Sequence, residues 1–277
     1  IGIAGTQSSG LMAAQFGAMV KRMHAGKSAH SGLLAALLAK EGFTGIVNVF
    51  EAPYGGFCST FSRSQDRFDL DQLIAGLGEE YQLMNIALKF YSCVGSNHTT
   101  LDAIKDIQKR RPFSKGDFKE IRVFGSQVTV DHVGWDYRPE GLTSAQLNLP
   151  FCVATLLIEG DVFVEQFTTD CVDDIDRIAL SRKIKVFHDP EITKRGSGYR
   201  HMVRVEVEFE DGDVESETRE YPRGSEYDFA SDEEIIRKFK ALAKGSISSG
   251  SANKIVDMVM NIEALESANV LLTEMSG

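Results

Sequence analysis

Residues 10–46, GLMAAQFGAMVKRMHAGKSAHSGLLAALLAKEGFTGI, place cations where close helix packing asks for alanine. At helical spacing Lys21, His24, Ser28 and Ser31 fall near one face, and Met19, Met23, Leu33, Leu34, Leu37 and Leu38 supply apolar surface around them. A polar stripe in an apolar, Gly/Ala-rich region costs desolvation energy unless it meets partners or an anionic ligand. The stretch therefore reads either as a solvated helix end with a few lysines or as a helix whose cations face an anion. The run LLAALLA is expected as a core helix segment. It is far shorter than the ~18 residues of a membrane span.

The remaining pattern falls into three parts. Up to about Ile86 the chain reads as helices with tight crossings, because Gly2, Gly5, Gly10, Gly17, Gly26 and Gly32 let helix axes approach closely. Gly42 and Gly45 mark a stop, Pro53, Gly55 and Gly56 a loop, and DLDQLIAGLGEEY a short amphipathic helix. From Lys89 the pattern is mixed. A helix starts near His98, strands are expected through FKEIRVFGSQVTVDHV, and one buried helix through TSAQLNLPFCVATLLIE, starting from Thr143 or Ser144 as N-cap. KIKVFHD and the long alternating run to Tyr221 complete a sheet, with Asp211-Gly212 as a turn. A capping box, Ser231 to Glu234, opens the closing helices, and GSISSGS (245–251) reads as a flexible connector between them.

Composition excludes several classes. A net charge of -10 opposes nonspecific nucleic-acid binding, and no lysine-arginine stripe interleaved with aromatics offsets it. Hydrophobic content of 43% with 25% charged residues is ordinary globular usage, which argues against wholesale disorder. Cys58, Cys93, Cys152 and Cys171 form no C-x-x-C pair and have no histidine at finger-like spacing, so reduced thiols are expected, with no disulfide framework or structural zinc. Asp170, Asp173, Asp174 and Asp176 lack the glycine-and-glutamate spacing of a calcium loop and read as a solvated helix start. For Trp135 and His132, which follow an expected strand, core or rim packing is the default reading.

Four blocks, in order, resemble the MmgE/PrpD family, which includes 2-methylcitrate dehydratases, cis-aconitate decarboxylases and iminodisuccinate epimerases. They are VKRMHAG with AHSGLLAALLAKEGFTG, then Tyr54-Gly55-Gly56-Phe57, then LKFYSCVGSNHTTLDAI (Leu88 to Ile104), then Ser144-Ala145-Gln146 with Leu149-Pro150. GIAGTQSSGLMAAQFGAMVKR and APYGGF resemble the fungal cis-aconitate decarboxylase branch. The resemblance implies an α+β fold: a partial all-helical domain (1–87), an inserted α+β lid domain (88–222), and helices returning to the helical domain (223–277). It covers only the C-terminal part of a family member. Further helices, carrying other substrate-holding side chains, are expected from a companion chain or from the front of the same gene product. A homodimer or hetero-oligomer is expected, in the cytoplasm, with the mitochondrion as the alternative compartment.

The chemistry implied is that of a lyase on a small polycarboxylate, cis-aconitate decarboxylation to itaconate leading. Alkylcitrate dehydration, iminodisuccinate-type epimerisation and a non-catalytic paralogue are the alternatives. Such reactions need cations or oriented N–H donors to pin carboxylates, and one group that moves a proton at carbon. The resemblance assigns Lys21, Lys89 and His98 to catalysis, and His24, Gly55, Gly56 and Cys93 to substrate binding, with no cofactor and no metal. Lys21 and Lys89 are expected to approach one substrate from two domains. Each residue also has a plain structural reading: surface lysines, a core His24, a capping His98, an ordinary Gly55-Gly56 turn, an inert Cys93. Val94 is the departure. Its position holds histidine in animal cis-aconitate decarboxylases and commonly cysteine in fungal and bacterial relatives, and valine cannot move a proton.

Overall fold

The structure, a computed structural model, describes residues 1–15, 19–62, 67–267 and 269–275. It divides into two compact units, Ile1–Met84 and Asn85–Gly277. Helices around a four-stranded mixed sheet make the chain α+β, as expected.

In the first unit a short helix, Gly2–Gly5, lies hard against residues 45–49. A Cβ on Gly2 would stand 2.0 Å from the Ile46 carbonyl oxygen, and one on Gly45 would stand 2.6 Å from the Ile3 nitrogen, so both positions require glycine. The expected continuous helix through Lys21 is broken instead. Met12–Gln15 and Met19–Arg22 are 3-10 turns, and the α-helix runs Met23–Lys40; Gly17 lies outside the described residues. Glycine-rich sequence weakens helix formation where little apolar surface is buried to offset it.

The Met23–Lys40 helix turns its small residues inward. Ser31 and Ala35, one turn apart, are buried, whereas Leu33, Leu34 and Leu37 are exposed. LLAALLA is thus not core within this chain, because the i, i+4 pair that packs is the serine-alanine pair. The helix ends where Gly42 takes φ +85°, letting the Gly42 and Phe43 N–H groups reach back to the Ala39 and Leu38 carbonyls. DLDQLIAGLGEEY forms only a 3-10 turn, Leu70–Leu73, followed by turns in which Gly76 and Gly78 take positive φ. Two left-handed residues do not fit an α-helix.

The second unit is built on a sheet of order β2-β1-β3-β4, with β1 Phe118–Gly125, β2 Ile184–His188, β3 Val203–Phe209 and β4 Val214–Arg219. The β1–β2 pair is parallel; the β1–β3 and β3–β4 pairs are antiparallel. Alternation in β1 and β3 buries Ile121, Val123, Val203, Val205 and Val207 on one face. On the other face Arg122 pairs with Glu206 and Glu208, and Lys119 with Glu208. The Asp211-Gly212 turn stands where expected, with Gly212 at φ +90°.

The apolar face carries two helices. His98–Arg110 packs on β3 and β4 through Leu101, Ile104 and Ile107, and ends where Arg111, ahead of Pro112, becomes extended. Leu149–Glu159 lies against β2 and is buried almost throughout. The single helix expected there is two, Leu142–Leu147 and Leu149–Glu159. Asn148 breaks the run: its side chain caps the second helix by accepting from the Phe151 N–H at 2.8 Å, and Pro150 sits in the first turn where its missing donor costs nothing. Gln127–Val133, expected as strand, is also helix, because Ser126 accepts from the Thr129 N–H and starts a turn that overrides the β-branched pattern.

Asp174 caps Ile175–Ser181, placing the acidic cluster at a helix start. Asp232–Ala243 opens on the expected Ser231–Glu234 capping box. GSISSGS is not a free connector, since Ser248 caps a helix, Ser249–Met260, that begins inside it. No described helix is long and apolar enough to cross a membrane.

Arg177 is the largest fully buried side chain among the described residues. Its guanidinium reaches Glu159 at 2.7 Å, the Thr155 hydroxyl at 3.2 Å and the Gln166 carbonyl at 3.4 Å, tying two helices and a loop. Removing those charge-assisted bonds and leaving a void costs about 3 kcal/mol. We therefore expect Arg177→Ala to lower the urea midpoint at unchanged m-value. Arg177→Met, which refills most of the volume, should recover part of the loss.

Candidate functional site

Each unit carries its own share of the assigned residues. In the first, Lys21 is exposed on the Met19–Arg22 turn and His24 is half-buried at the start of the Met23–Lys40 helix. His24, Lys27 and Ser31, at helical spacing, line a cavity of about 900 Å3 with the Ser8-Ser9-Gly10 turn and the rings of Phe50, Phe57 and Phe61. The Ser31 hydroxyl is buried without a hydrogen-bond partner. No carboxylate side chain is among the described residues lining this cavity. Lys21, Gly55 and Gly56 are not in its wall either.

The Gly55-Gly56 turn precedes the Phe57–Phe61 helix. Gly55 takes φ +70°, and the Gly56 N–H donates to the Ala52 carbonyl at 3.2 Å. A Cβ on Gly56 would stand 2.3 Å from that carbonyl oxygen, so the tight turn demands glycine for its own packing.

In the second unit Lys89, Cys93 and His98 belong to one strap of chain wrapped around the start of the His98–Arg110 helix. Lys89 is exposed, and its ammonium donates to the Cys93 carbonyl at 3.4 Å. Cys93 is buried; burial first, then the neighbouring Cys152 thiol, pushes its own thiol well above the ordinary range, against a smaller opposing effect of His98. It is a protonated thiol, not a nucleophile. His98 is 2% exposed, its ring standing edge-on to Tyr91 at 5.1 Å, and its Nε2 has no hydrogen-bond partner. Val94 donates its N–H to the Gln146 carbonyl at 3.0 Å and leads into the Gly95–Asn97 turn.

The strap is held by groups the sequence reading did not single out. Tyr91 donates its hydroxyl to Asp102 at 2.7 Å, and the Arg223 N–H donates to the same carboxylate at 2.8 Å. Burial pushes the Asp102 carboxyl up, opposed by these two bonds. Asn97 donates to the Cys152 sulfur at 3.3 Å, and Thr99 donates to the His201 carbonyl at 2.6 Å. Tyr91 and Asp102 stand eleven residues apart within a stretch already noticed, but Cys152, His201 and Arg223 come from elements that no local pattern connects to it. Trp135 and His132 stay with each other, the indole N–H donating to the His132 carbonyl at 3.2 Å. No group of three His, Cys, Asp or Glu side chains converges as metal ligands among the described residues.

His201 makes the strap acid-sensitive. Burial, then the charges of Arg200 and His132, lower it from 6.5 to about 4, so the folded chain keeps it neutral. On acidification the unfolded chain takes up this proton first; the stability His201 contributes is whole above about pH 6.5 and drains away as pH falls toward 4. A thermal-unfolding series across that window should show Tm falling more steeply for the native sequence than for His201→Gln. Parallel curves would remove His201 as the cause.

Comparison with known proteins converges on one family. The profile of the MmgE/PrpD N-terminal domain matches residues 1–69 and that of the MmgE/PrpD C-terminal domain residues 91–264. A cis-aconitate decarboxylase-like protein, oryM, of Aspergillus oryzae is 34% identical over 100% of this chain and 59% of its own length. The cis-aconitate decarboxylase of Aspergillus terreus is 32% identical over 98% of this chain and 58% of its own, and the human cis-aconitate decarboxylase is 22% identical over 93% and 53%. The chain thus spans somewhat over half the length of these relatives.

Proposed function

The chain belongs to the MmgE/PrpD family, and from that premise we propose that it serves a lyase acting on a small polycarboxylate, with cis-aconitate decarboxylation to itaconate as the reaction. The observation that carries this reading is the first unit's cavity, where His24, Lys27 and an unpartnered Ser31 hydroxyl meet no carboxylate among the described residues, in a chain of net charge -10. A pocket of that polarity favours an anion, since a carboxylate brings the acceptors that the ammonium and the hydroxyl lack.

Lys21 and Lys89 are the further cations for the substrate's carboxylates. Both are exposed, so a ligand reaches them without rearrangement of the core. A lysine held near a developing carboxylate charge is worth more in a dry site than in water. His98 is buried, and in this reading it is a positioning residue, acting through Cys93 on the Val94–Asn97 turn. Further helices, from the same gene product or a companion chain, would complete the site and cover the exposed Leu33, Leu34 and Leu37. The names of the fungal relatives support the reaction, and the cytoplasm remains the proposed compartment. Val94 favours the alternative, a non-catalytic paralogue, because it leaves that position without a proton donor.

Turnover assays of the complete assembly with cis-aconitate and with 2-methylcitrate separate decarboxylase from dehydratase. Lys21→Ala and Lys89→Ala should each lower turnover of the true substrate at least about tenfold, the loss of about 1.4 kcal/mol of transition-state stabilisation. Lys27→Ala should raise KM. Thermal stability should survive all three, and His132→Ala should be near neutral. No turnover of either compound, with no thermal shift at millimolar concentrations of both, would decide for the non-catalytic paralogue.

A further inference from the structure

The second unit holds a cavity of about 400 Å3 that the proposed reaction does not use. Two helices give it opposed charged faces. His98–Arg110 presents Asp102, Lys105, Asp106 and Lys109, and Asp232–Ala243 presents Glu234, Arg237, Lys238 and Ala241, each set at i, i+3, i+4, i+7. Aromatic rings of Phe90, Tyr91 and Phe163 form an apolar edge.

The charges in this wall do not balance. Among the described residues, six lysines and arginines line it against four carboxylates, and a fifth, Asp228, pairs with Arg219 and Arg223 from outside the wall, which leaves a surplus of one positive charge in an acidic chain. Every one of the four carboxylates is already engaged. Asp102 accepts from the Tyr91 hydroxyl and the Arg223 N–H. Asp106 pairs with Arg219 at 2.5 Å and Lys109 at 2.8 Å. Glu234 pairs with Arg223 and accepts from the Ser231 N–H. Asp161 accepts from the Val162 N–H and lies 3.8 Å from Lys105.

Arg237 and Lys238 are left over, with no carboxylate within ion-pairing distance among the described residues. The Lys238 ammonium instead stands 5.8 Å from the Phe90 ring centre. Partial burial, then the charge of nearby Lys89, lowers its pKa. Arg237 and Lys238 are thus the two cations of this wall that no carboxylate among the described residues pairs with.

We propose that this cavity is an anion-binding site, in which Arg237 and Lys238, with Lys105 across from them, take a small dianion. Arginine supplies a planar pair of donors and the lysines point charges, a set that suits either a phosphate or a dicarboxylate. Lys21, Lys27 and Lys89 are not among the residues that line this cavity, although Lys89 lies near Lys238, and the proposal does not depend on the lyase reading.

The test is titration calorimetry of the full chain at low ionic strength with inorganic phosphate, with succinate, and with succinamide as the uncharged isostere. Binding of phosphate alone identifies a phosphate ligand, and of succinate alone a dicarboxylate. Either supports the site if Arg237→Gln/Lys238→Gln weakens it at least about tenfold while Lys254→Gln, a lysine paired elsewhere with Glu274, leaves it unchanged. Lys238→Arg, which keeps the charge, should retain binding and guards against a fold defect in the double variant. The site is overturned if neither ion binds, if succinamide binds equally well, or if the double variant binds as the native chain does. Binding lost in Lys89→Gln but kept in the double variant also overturns it, assigning the ion to Lys89 and leaving the lyase reading intact.

Discussion

One buried carboxylate organises the second unit. Asp102 lies a turn into the His98–Arg110 helix and accepts from Tyr91 on one oxygen and from the Arg223 backbone on the other. Three stretches of chain are fixed by that single group: the strap bearing Lys89 and Cys93, the helix beneath the sheet, and the segment leading into Asp232–Ala243. A half-satisfied buried carboxylate would be costly, so the two donors must stay in place for the fold to keep it. The same group forms part of the wall of the charged cavity, which therefore inherits its shape from the constraint that holds the strap.

That strap shows how burial sorts groups that look equally reactive in a sequence. Lys89, Cys93 and His98 lie within ten residues, yet only Lys89 is exposed. Cys93 faces Cys152 and His98 inside the core, where desolvation keeps its thiol protonated. His98 stands against Tyr91 with its Nε2 unpaired. The inner pair is packed in the core, and the lysine stands at the surface. Val94, at the start of the Gly95–Asn97 turn, is partly buried and packs against the hydrophobic core.

The first unit poses the complementary problem. Its longest helix buries serine and alanine and exposes leucines, the reverse of what a free-standing helical domain does. Small inward residues let backbone approach backbone, as Gly2 and Gly45 show most directly. They also leave space, and the cavity beside His24, Lys27 and Ser31 occupies it.

Local physics made much of this legible in the sequence. The amphipathic period of the His98–Arg110 helix, the alternation of β1 and β3, the Asp211-Gly212 turn and the Ser231–Glu234 capping box each depend on neighbours a few residues away, and each stands where the residues place it. The family was legible too, because its blocks are runs of consecutive side chains. Where signals competed, the pattern alone did not decide: the Ser126 cap made Gln127–Val133 helix although its residues favour a strand, and Met12–Gln15 and Met19–Arg22 became 3-10 turns although their spacing suited an α-helix. Which lysines meet no acid was beyond the sequence altogether. Among the described residues Lys238 has no carboxylate partner, because Asp102 and Asp106 are claimed by donors more than a hundred residues away; Lys27 rather than Lys21 lines the first cavity, because the chain before Met23 leaves the α-helical path that would have set Lys21 on the face of His24.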